Sequence, residues 1–199
     1  PRPLGFLRSS AVALAAAFAL FAERGLLVVL AAQRFGLQDL VAAAAAAAGD
    51  WLLFLHADTR PMPGWAHAVA TFISDPGNAV VAGYFHLTLD DDSWAARHVE
   101  RLVRLRNVLF GLPHGDQGLL IHRSFYDQLG GYRCVPLVED VDLARRIGRR
   151  QLRPIGATVI TSAEKYRRDG YLIRPLLNCC LLALYAIGVS PQRLTRLQR

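Results

Sequence analysis

Residues 51–60 read Trp-Leu-Leu-Phe-Leu-His-Ala-Asp-Thr-Arg, and this stretch decides the fold. The unbroken apolar run ends abruptly at polar residues, which is the pattern of a central strand covered on both faces. Strands of this kind present ligand-binding groups at their carboxyl ends, where the next loop begins. The sequence therefore places Asp58 at a binding edge, where its carboxylate either holds a hard cation or caps the following turn.

Strand and helix patterns alternate along the rest of the chain. We predict strands at 26–30, 79–89, 118–122 and 155–161, and helices at 65–73, 94–110, 141–150 and 172–188. Turn residues separate these segments, and the Ala- and Leu-rich first 47 residues favour helix. The alternation predicts an α/β fold: a single layered domain over residues 1–199, with a mostly parallel central sheet flanked by helices.

The length and the net charge of the chain indicate which kinds of molecule it can bind. The 199 residues suffice for one domain with a sizeable core. Lys and Arg total 23 against 16 Asp and Glu, and the net charge of +7 favours anionic partners such as nucleotide phosphates or acidic lipid. The sequence has no recognisable nucleic-acid module, so we do not expect nucleic acid as a partner.

The three cysteines and one apolar segment indicate in which part of the cell the chain is found. Cys134, Cys179 and Cys180 are odd in number and lack metal-ligand spacing, which favours a reducing, cytoplasmic setting. Residues 176–189 are apolar but too few to span a bilayer, and basic residues follow them. This segment is a candidate for peripheral contact with the inner face of the membrane, or for a homodimer interface.

Polar clusters interrupt the apolar pattern at positions where packing does not need them. Residues 115–118, Gly-Asp-Gln-Gly, present two hydrogen-bonding side chains between glycines, which fits a ligand site or an ordinary turn. Residues 139–142 place carboxylates at a helix N-terminus, where the helix dipole favours negative charge. Asp140 is therefore a candidate for chemistry or simply a cap. A third cluster follows the predicted strand 155–161, at residues 162–168.

The order and spacing of these groups resemble one family. The chain is similar to family 2 glycosyltransferases of the GT-A fold, and to the bacterial branch whose strand ends in Leu-His-Ala-Asp-Thr. The resemblance spans about residues 48–191 and rests on four segments: 55–60 (Leu-His-Ala-Asp-Thr-Arg), 115–118 (Gly-Asp-Gln-Gly), 129–132 (Leu-Gly-Gly-Tyr) and 136–143 (Pro-Leu-Val-Glu-Asp-Val-Asp-Leu).

The resemblance implies transfer of a sugar from a nucleotide-diphosphate donor to an acceptor hydroxyl, with inversion at the anomeric carbon. Asp58, together with His56, would contact the Mg²⁺ or Mn²⁺ ion that bridges the diphosphate. Asp140 would be the general base that accepts the hydroxyl proton. Its neighbour Glu139 would position the acceptor or raise the pKa of the base.

The same resemblance assigns substrate contacts to two other segments. Asp116 and Gln117 would line the acceptor side of the site. Lys165, Arg167 and Arg168 would approach the diphosphate from a loop.

Residues 1–47 depart from the family pattern, since its Asp-Gly-Gly-Ser-like segment for the base and ribose is not visible. We therefore predict a donor-binding part that is divergent, atypical or missing. The main rival function is a catalytically impaired glycosyltransferase-like scaffold or membrane-associated binding protein. Phosphatases with an Asp-x-Asp-x-Thr motif are rejected, because His56 stands where their nucleophilic Asp would be.

Overall fold

A computed structural model describes residues 26–31, 37–56, 58–133 and 138–197. These residues form one sheet in the order β1-β2-β5-β4-β6-β3. The strands are β1 Leu26–Ala31, β2 Trp51–His56, β3 Thr59–Pro61, β4 Ala82–Leu89, β5 Leu119–His122 and β6 Leu152–Thr161. The helices are α1 Leu37–Ala46, α2 Trp65–Ser74, α3 Trp94–Phe110, α4 Arg123–Gln128, α5 Glu139–Ile147, α6 Glu164–Asp169, α7 Ile173–Ala186 and α8 Pro191–Leu197. Short 3₁₀ turns occupy Pro76–Val80, Gly115–Gln117 and Arg149–Gln151.

The layered α/β class is confirmed, but the sheet is mixed. Strands β1 and β2 pair in parallel, as do β4 and β6, whereas β5 runs antiparallel to both its neighbours and β3 runs antiparallel to β6. Four of the six strands, β1, β2, β4 and β6, run in one direction, so the sheet is mostly parallel in strand direction, as predicted. At the reversed strand β5, Arg106 and Asn107 of α3 hydrogen-bond Gln117 just before the strand begins. The chain thus enters β5 from the edge where β2 and β4 end.

Strand β2 is buried on both faces, as the apolar run predicts. Leu53 and Leu55 pack in a cluster with side chains of α2 and α3, whereas Leu52 and Phe54 pack in a second cluster with α1, α4 and α5. This division follows from the strand, whose successive side chains point to opposite faces. Burial of each leucine contributes about 2 kcal/mol. Helices on both faces thus fix the position of the carboxyl end of β2.

A smaller cluster anchors the C-terminal helices beside the sheet. Val141 of α5 and Leu194 of α8 are buried in it, and Leu181 and Leu182 of α7 pack against them. The hydroxyl of Tyr185 also donates a hydrogen bond of 3.3 Å to Asp142, which joins α7 to α5. Helix α7 is therefore held next to the N-terminal turn of α5.

Residues at both ends of helix α3 explain why its bounds could be predicted from the sequence. The predicted helix 94–110 is confirmed as α3. The Ser93 side chain accepts a hydrogen bond from the Ala96 amide at 3.2 Å, and Gly111 ends the helix with φ 61°. Ser is a preferred N-cap, and Gly readily adopts the left-handed conformation at a helix C-terminus.

Most other predicted elements are present with bounds shifted by a few residues. The strand predictions correspond to β1, β4, β5 and β6, and the helix predictions correspond to α2, α5 and α7. Helix α5 begins two residues earlier than predicted, which places Glu139 and Asp140 in its first turn. Strand β3 and helices α6 and α8 have no counterpart among the predicted elements. The helical prediction for residues 1–25 lies outside the described residues.

None of the described helices is both long and apolar enough to cross a bilayer.

Candidate active site

A cavity of about 190 Å³ lies at the edge of the sheet where β2 and β6 end. Its acidic wall comes from three separate parts of the chain: Asp58 after β2, Asp116 before β5 and Asp140 in the first turn of α5. Side chains of α6 and α7 also line the cavity. The structure thus brings together the strand-end carboxylate and the helix N-terminal carboxylate that the sequence singled out.

His56 and Asp58 sit side by side at the end of β2. His56 Nδ1 lies 3.9 Å from Asp58 Oδ1, and both side chains are partly exposed. Both residues line the cavity. Their adjacency follows from the strand ending here, since the chain turns at Asp58 before β3 begins.

Two hydrogen bonds orient the carboxylate of Asp140. The Gly115 amide donates to Oδ2 at 2.9 Å, and the Tyr132 hydroxyl donates to Oδ1 at 3.3 Å. Gly115 is the residue that this approach requires, because a Cβ there would lie 2.3 Å from Asp140 Oδ2 and 2.5 Å from His56 Nε2. The loop before β5 therefore holds Asp140 against the end of β2.

Asp116 brings a buried carboxylate to the cavity. Its Oδ1 is buried and has no hydrogen-bond partner among the described residues. Burial raises the pKa of Asp116, and the negative charges of Asp140 and Asp58 raise it further, against the opposing effects of Arg106 and His56. An unsatisfied buried oxygen is costly, so this atom is a natural contact for a bound ligand.

Gln117 does not line the cavity, contrary to the prediction that it contacts the acceptor. Its side chain is 1% exposed. It accepts a hydrogen bond from Asn107 Nδ2 at 3.0 Å and donates one to the Phe85 carbonyl oxygen at 3.0 Å. Gly118, with φ 65°, then lets the chain enter β5 close against Leu55. Gln117 thus fixes the loop that carries Asp116.

The three cations predicted near the diphosphate divide into two groups. Lys165 lines the cavity. Arg167 instead pairs with Asp90 and Asp91, at 3.2 Å and 3.0 Å, and Arg168 pairs with Asp169 at 2.7 Å. Neither arginine lines the cavity, so their predicted contact with the diphosphate is not supported. Asp90 and Asp91, which follow β4, hold Arg167, and Asp169 at the end of α6 holds Arg168.

Glu139 lies next to Asp140 but does not line the cavity. Burial raises the pKa of Glu139, and the charge of Asp140 adds to that effect. The structure therefore places Glu139 beside Asp140 but outside the cavity lining, and it gives no support to a direct contact of Glu139 with the acceptor.

Several cavity residues carry little sequence signal. Arg174 and Asn178 reach the cavity from α7, and His114 reaches it from the loop before the 3₁₀ turn. Burial lowers the pKa of His114 well below its usual value, and the charge of Arg106 lowers it further. Only the spacing of Arg174 and Asn178, four residues apart on one helix face, indicates that they share a site.

The donor groups suit a cation shared with substrate better than one enclosed by protein. Asp58 and Asp116 offer carboxylates to the cavity, and His56 offers an imidazole. Across the described ranges, no set of three His, Cys, Asp or Glu side chains is arranged to hold a metal by itself. Mg²⁺ usually binds through one or two carboxylates together with substrate phosphates and water. The residues present therefore fit a cation that binds together with a diphosphate.

The layered sheet and the acidic cavity at its carboxyl edge define a GT-A-like α/β domain. This chain belongs to glycosyl transferase family 2, because the model of that family, described as "Glycosyl transferase family 2", matches residues 9–128, more than half of the chain. The match begins at residue 9 and so includes most of the N-terminal part, whose divergent donor-binding segment stays our prediction. It ends before α5, so the roles of Glu139 and Asp140 rest on geometry and on the motif resemblance.

Comparison with solved structures gives a weaker likeness. One match is described as "Crystal structure of GalNAc-T7 with UDP, GalNAc and Mn2+", with 16% identity and a TM-score of 0.43. It covers 65% of this chain and 31% of that chain, so this chain spans about a third of that protein. A likeness at this level carries no argument about ligands. No curated protein matches the chain.

Proposed function

We propose that the chain is an inverting glycosyltransferase that moves a sugar from a nucleotide-diphosphate donor to an acceptor hydroxyl. The observation that carries this proposal is the shared cavity of Asp58 and Asp140, which come from distant parts of the sequence. Family membership supports glycosyl transfer. The donor class, the inversion, the bacterial origin, a cytoplasmic location and a homodimer remain our predictions.

Asp140 is the general base of the proposed reaction. The acceptor oxygen attacks the anomeric carbon as the bond from that carbon to the diphosphate oxygen breaks, and the hydroxyl proton passes to Asp140. Inversion needs one base on the side of the sugar opposite the leaving group. The hydrogen bonds from Gly115 and Tyr132 hold the carboxylate in one orientation. Such positioning contributes to rate, because the reacting atoms need not be aligned again in each encounter.

Positive charge for the leaving diphosphate is available from α6 and α7. Lys165 and Arg174 both line the cavity, and the latter is held by Asp169 at 3.2 Å. Fixed cations stabilise charge that develops on a leaving phosphate. Asp58, with His56 beside it, would hold a Mg²⁺ or Mn²⁺ ion, which when bound neutralises part of the same negative charge.

Asp116 fits the acceptor side of the site. Its buried Oδ1 lacks a partner among the described residues, and its pKa is raised by burial. A carboxyl group with an open hydrogen-bonding position suits a sugar hydroxyl. Bound substrate would then satisfy an oxygen that otherwise remains without a hydrogen bond.

A hydrolysis assay tests the proposal. The chain is incubated with a panel of nucleotide-diphosphate sugars and Mn²⁺, and release of nucleoside diphosphate is measured. We expect Asp140→Asn and Asp58→Ala each to lower turnover by about 10² or more. Asp127→Asn is the matched control, since Asp127 is exposed at the end of α4 and does not line the cavity. Absence of turnover with every donor would favour the scaffold.

A further inference from the structure

Helix α7 presents two different faces. Arg174, Asn178 and Leu181 lie on the face that lines the cavity. The face turned away from the cavity is apolar and exposed. Leu172, which precedes the helix, is 76% exposed, and Leu176 is 65% exposed. Ile173, Leu177 and Ile187 are also exposed.

This face continues along the helix without a polar break. Leu172, Leu176, Cys180 and Ile187 are exposed at spacings close to whole helical turns, and Ala183 between them is exposed as well. No described residue covers these side chains. A contiguous apolar helix face of this length is the kind of surface that marks an interaction site.

The charges around α7 indicate what this face contacts. From Tyr171 to the end of the chain the sequence contains four Arg residues and no Asp or Glu. Arg193 is exposed on α8, which packs against α7 through the cluster around Leu194. At the other end of α7, Lys165 is exposed on α6, but Glu164 is exposed there too and Arg168 pairs with Asp169 at 2.7 Å, so the excess of positive charge lies at the Arg193 end. An apolar helix face with no acidic residue of its own and a cation at one end complements an anionic lipid surface.

We propose that the exposed face of α7 docks on an anionic phospholipid bilayer. The helix lies in the plane of the interface, with its leucines at the boundary of the acyl chains and Arg193 at the headgroups. Because the other face of α7 lines the cavity, docking places the cavity next to the membrane surface. This inference concerns binding alone, so its test does not depend on the proposed reaction.

Vesicle sedimentation of the full chain tests the docking. Vesicles contain phosphatidylcholine alone or with about 30 mol% phosphatidylglycerol, which supplies the negative surface. We expect binding to the anionic vesicles only, weakened by about 0.5 M salt. The double variant Leu172→Ser with Leu176→Ser should lower the partition coefficient about tenfold or more, and Arg193→Gln about fivefold.

Val80→Ser is the matched control for the loss of exposed apolar surface. Val80 is 53% exposed and lies just before β4, at the edge of the sheet opposite the cavity. Its variant should bind anionic vesicles like the unmodified chain. The double variant should also keep the unmodified thermal midpoint, because exposed side chains contribute little to folding.

Three results would overturn the proposal. The first is absence of binding to anionic vesicles at low salt. The second is a dimer, seen by sedimentation velocity, that the double variant dissociates, since a second copy would then cover the face. The third is a thermal midpoint lowered by many degrees in the double variant, which would show that the chain itself covers these side chains.

Discussion

Gly115→Ala tests the geometry of the site most directly. The new Cβ would lie 2.3 Å from Asp140 Oδ2, whereas ordinary van der Waals contact begins at 3.4 Å. The carboxylate must therefore move by about 1 Å, and a displacement of this size costs about 10² in rate. The backbone itself accepts alanine, because Gly115 is not among the glycines with positive φ. We expect a folded protein with kcat/KM lowered about 100-fold.

The assay is release of nucleoside diphosphate, combined with urea unfolding of the same preparations. Loss of the Gly115 to Asp140 hydrogen bond should lower the free energy of unfolding by only about 1 kcal/mol. Gly77→Ala is the matched control, because Gly77 also lacks a positive φ and its added Cβ meets only the Asp75 side chain, at 3.2 Å. It lies in the turn before β4, away from the cavity, and should leave kcat/KM unchanged.

Retention of more than half of the kcat/KM by folded Gly115→Ala would refute the reasoning. That result would mean that the position of Asp140 against the loop before β5 does not matter for the reaction. If kcat/KM falls and the free energy of unfolding also falls by several kcal/mol, the variant has a general structural defect instead.

Three further predictions follow from particular contacts. Asp116→Asn should resist urea better than the unmodified protein at about pH 8, and urea unfolding at about pH 4 should show a smaller difference. The reason is that the pKa of Asp116 is raised in the folded protein, so its ionisation destabilises the folded state as the pH rises. Lys165→Ala should weaken binding of nucleoside diphosphate with Mn²⁺ about tenfold by calorimetry, whereas Arg167→Ala should not, because Asp90 holds Arg167. Arg123→Ala should lower the free energy of urea unfolding by about 2–3 kcal/mol, because its guanidinium donates three hydrogen bonds to carbonyl oxygens at and after the end of α1.

Each of these predictions has a result that contradicts it. A stability gain in Asp116→Asn that is equal at both pH values would show that its ionisation carries no penalty. Equal losses of affinity in Lys165→Ala and Arg167→Ala would show that substrate draws Arg167 from Asp90. An unchanged urea midpoint in Arg123→Ala would mean that water replaces its hydrogen bonds at no cost.

Local signals allowed part of the fold to be predicted from the sequence. The apolar run in β2, and Ser93 and Gly111 at the ends of α3, act over a few residues and are visible without a structure. The short elements β3 and α6 carry no such signal. Their formation depends on contacts with distant residues, such as the pairing of Thr59 with Thr161.

The sequence predicted the carboxylates of the candidate site, but it did not predict all of the side-chain contacts around them. Gln117 lies between glycines, which suggested a ligand contact, yet Asn107 and Phe85 satisfy its side chain within the core. The sequence suggested that Arg167 contacts the diphosphate, but Arg167 pairs with the carboxylates of Asp90 and Asp91. Neither competing partner is near in sequence, so residue spacing does not reveal it.

The sequence by itself determined the strand that ends before Asp58, the helix that begins with Glu139 and Asp140, and the family to which the chain belongs. Only the tertiary structure decided that these carboxylates share a cavity. The physical reason is the reversed direction of β5: it brings the loop at Gly115 to the edge where β2 ends, and the Gly115 amide then fixes Asp140 there.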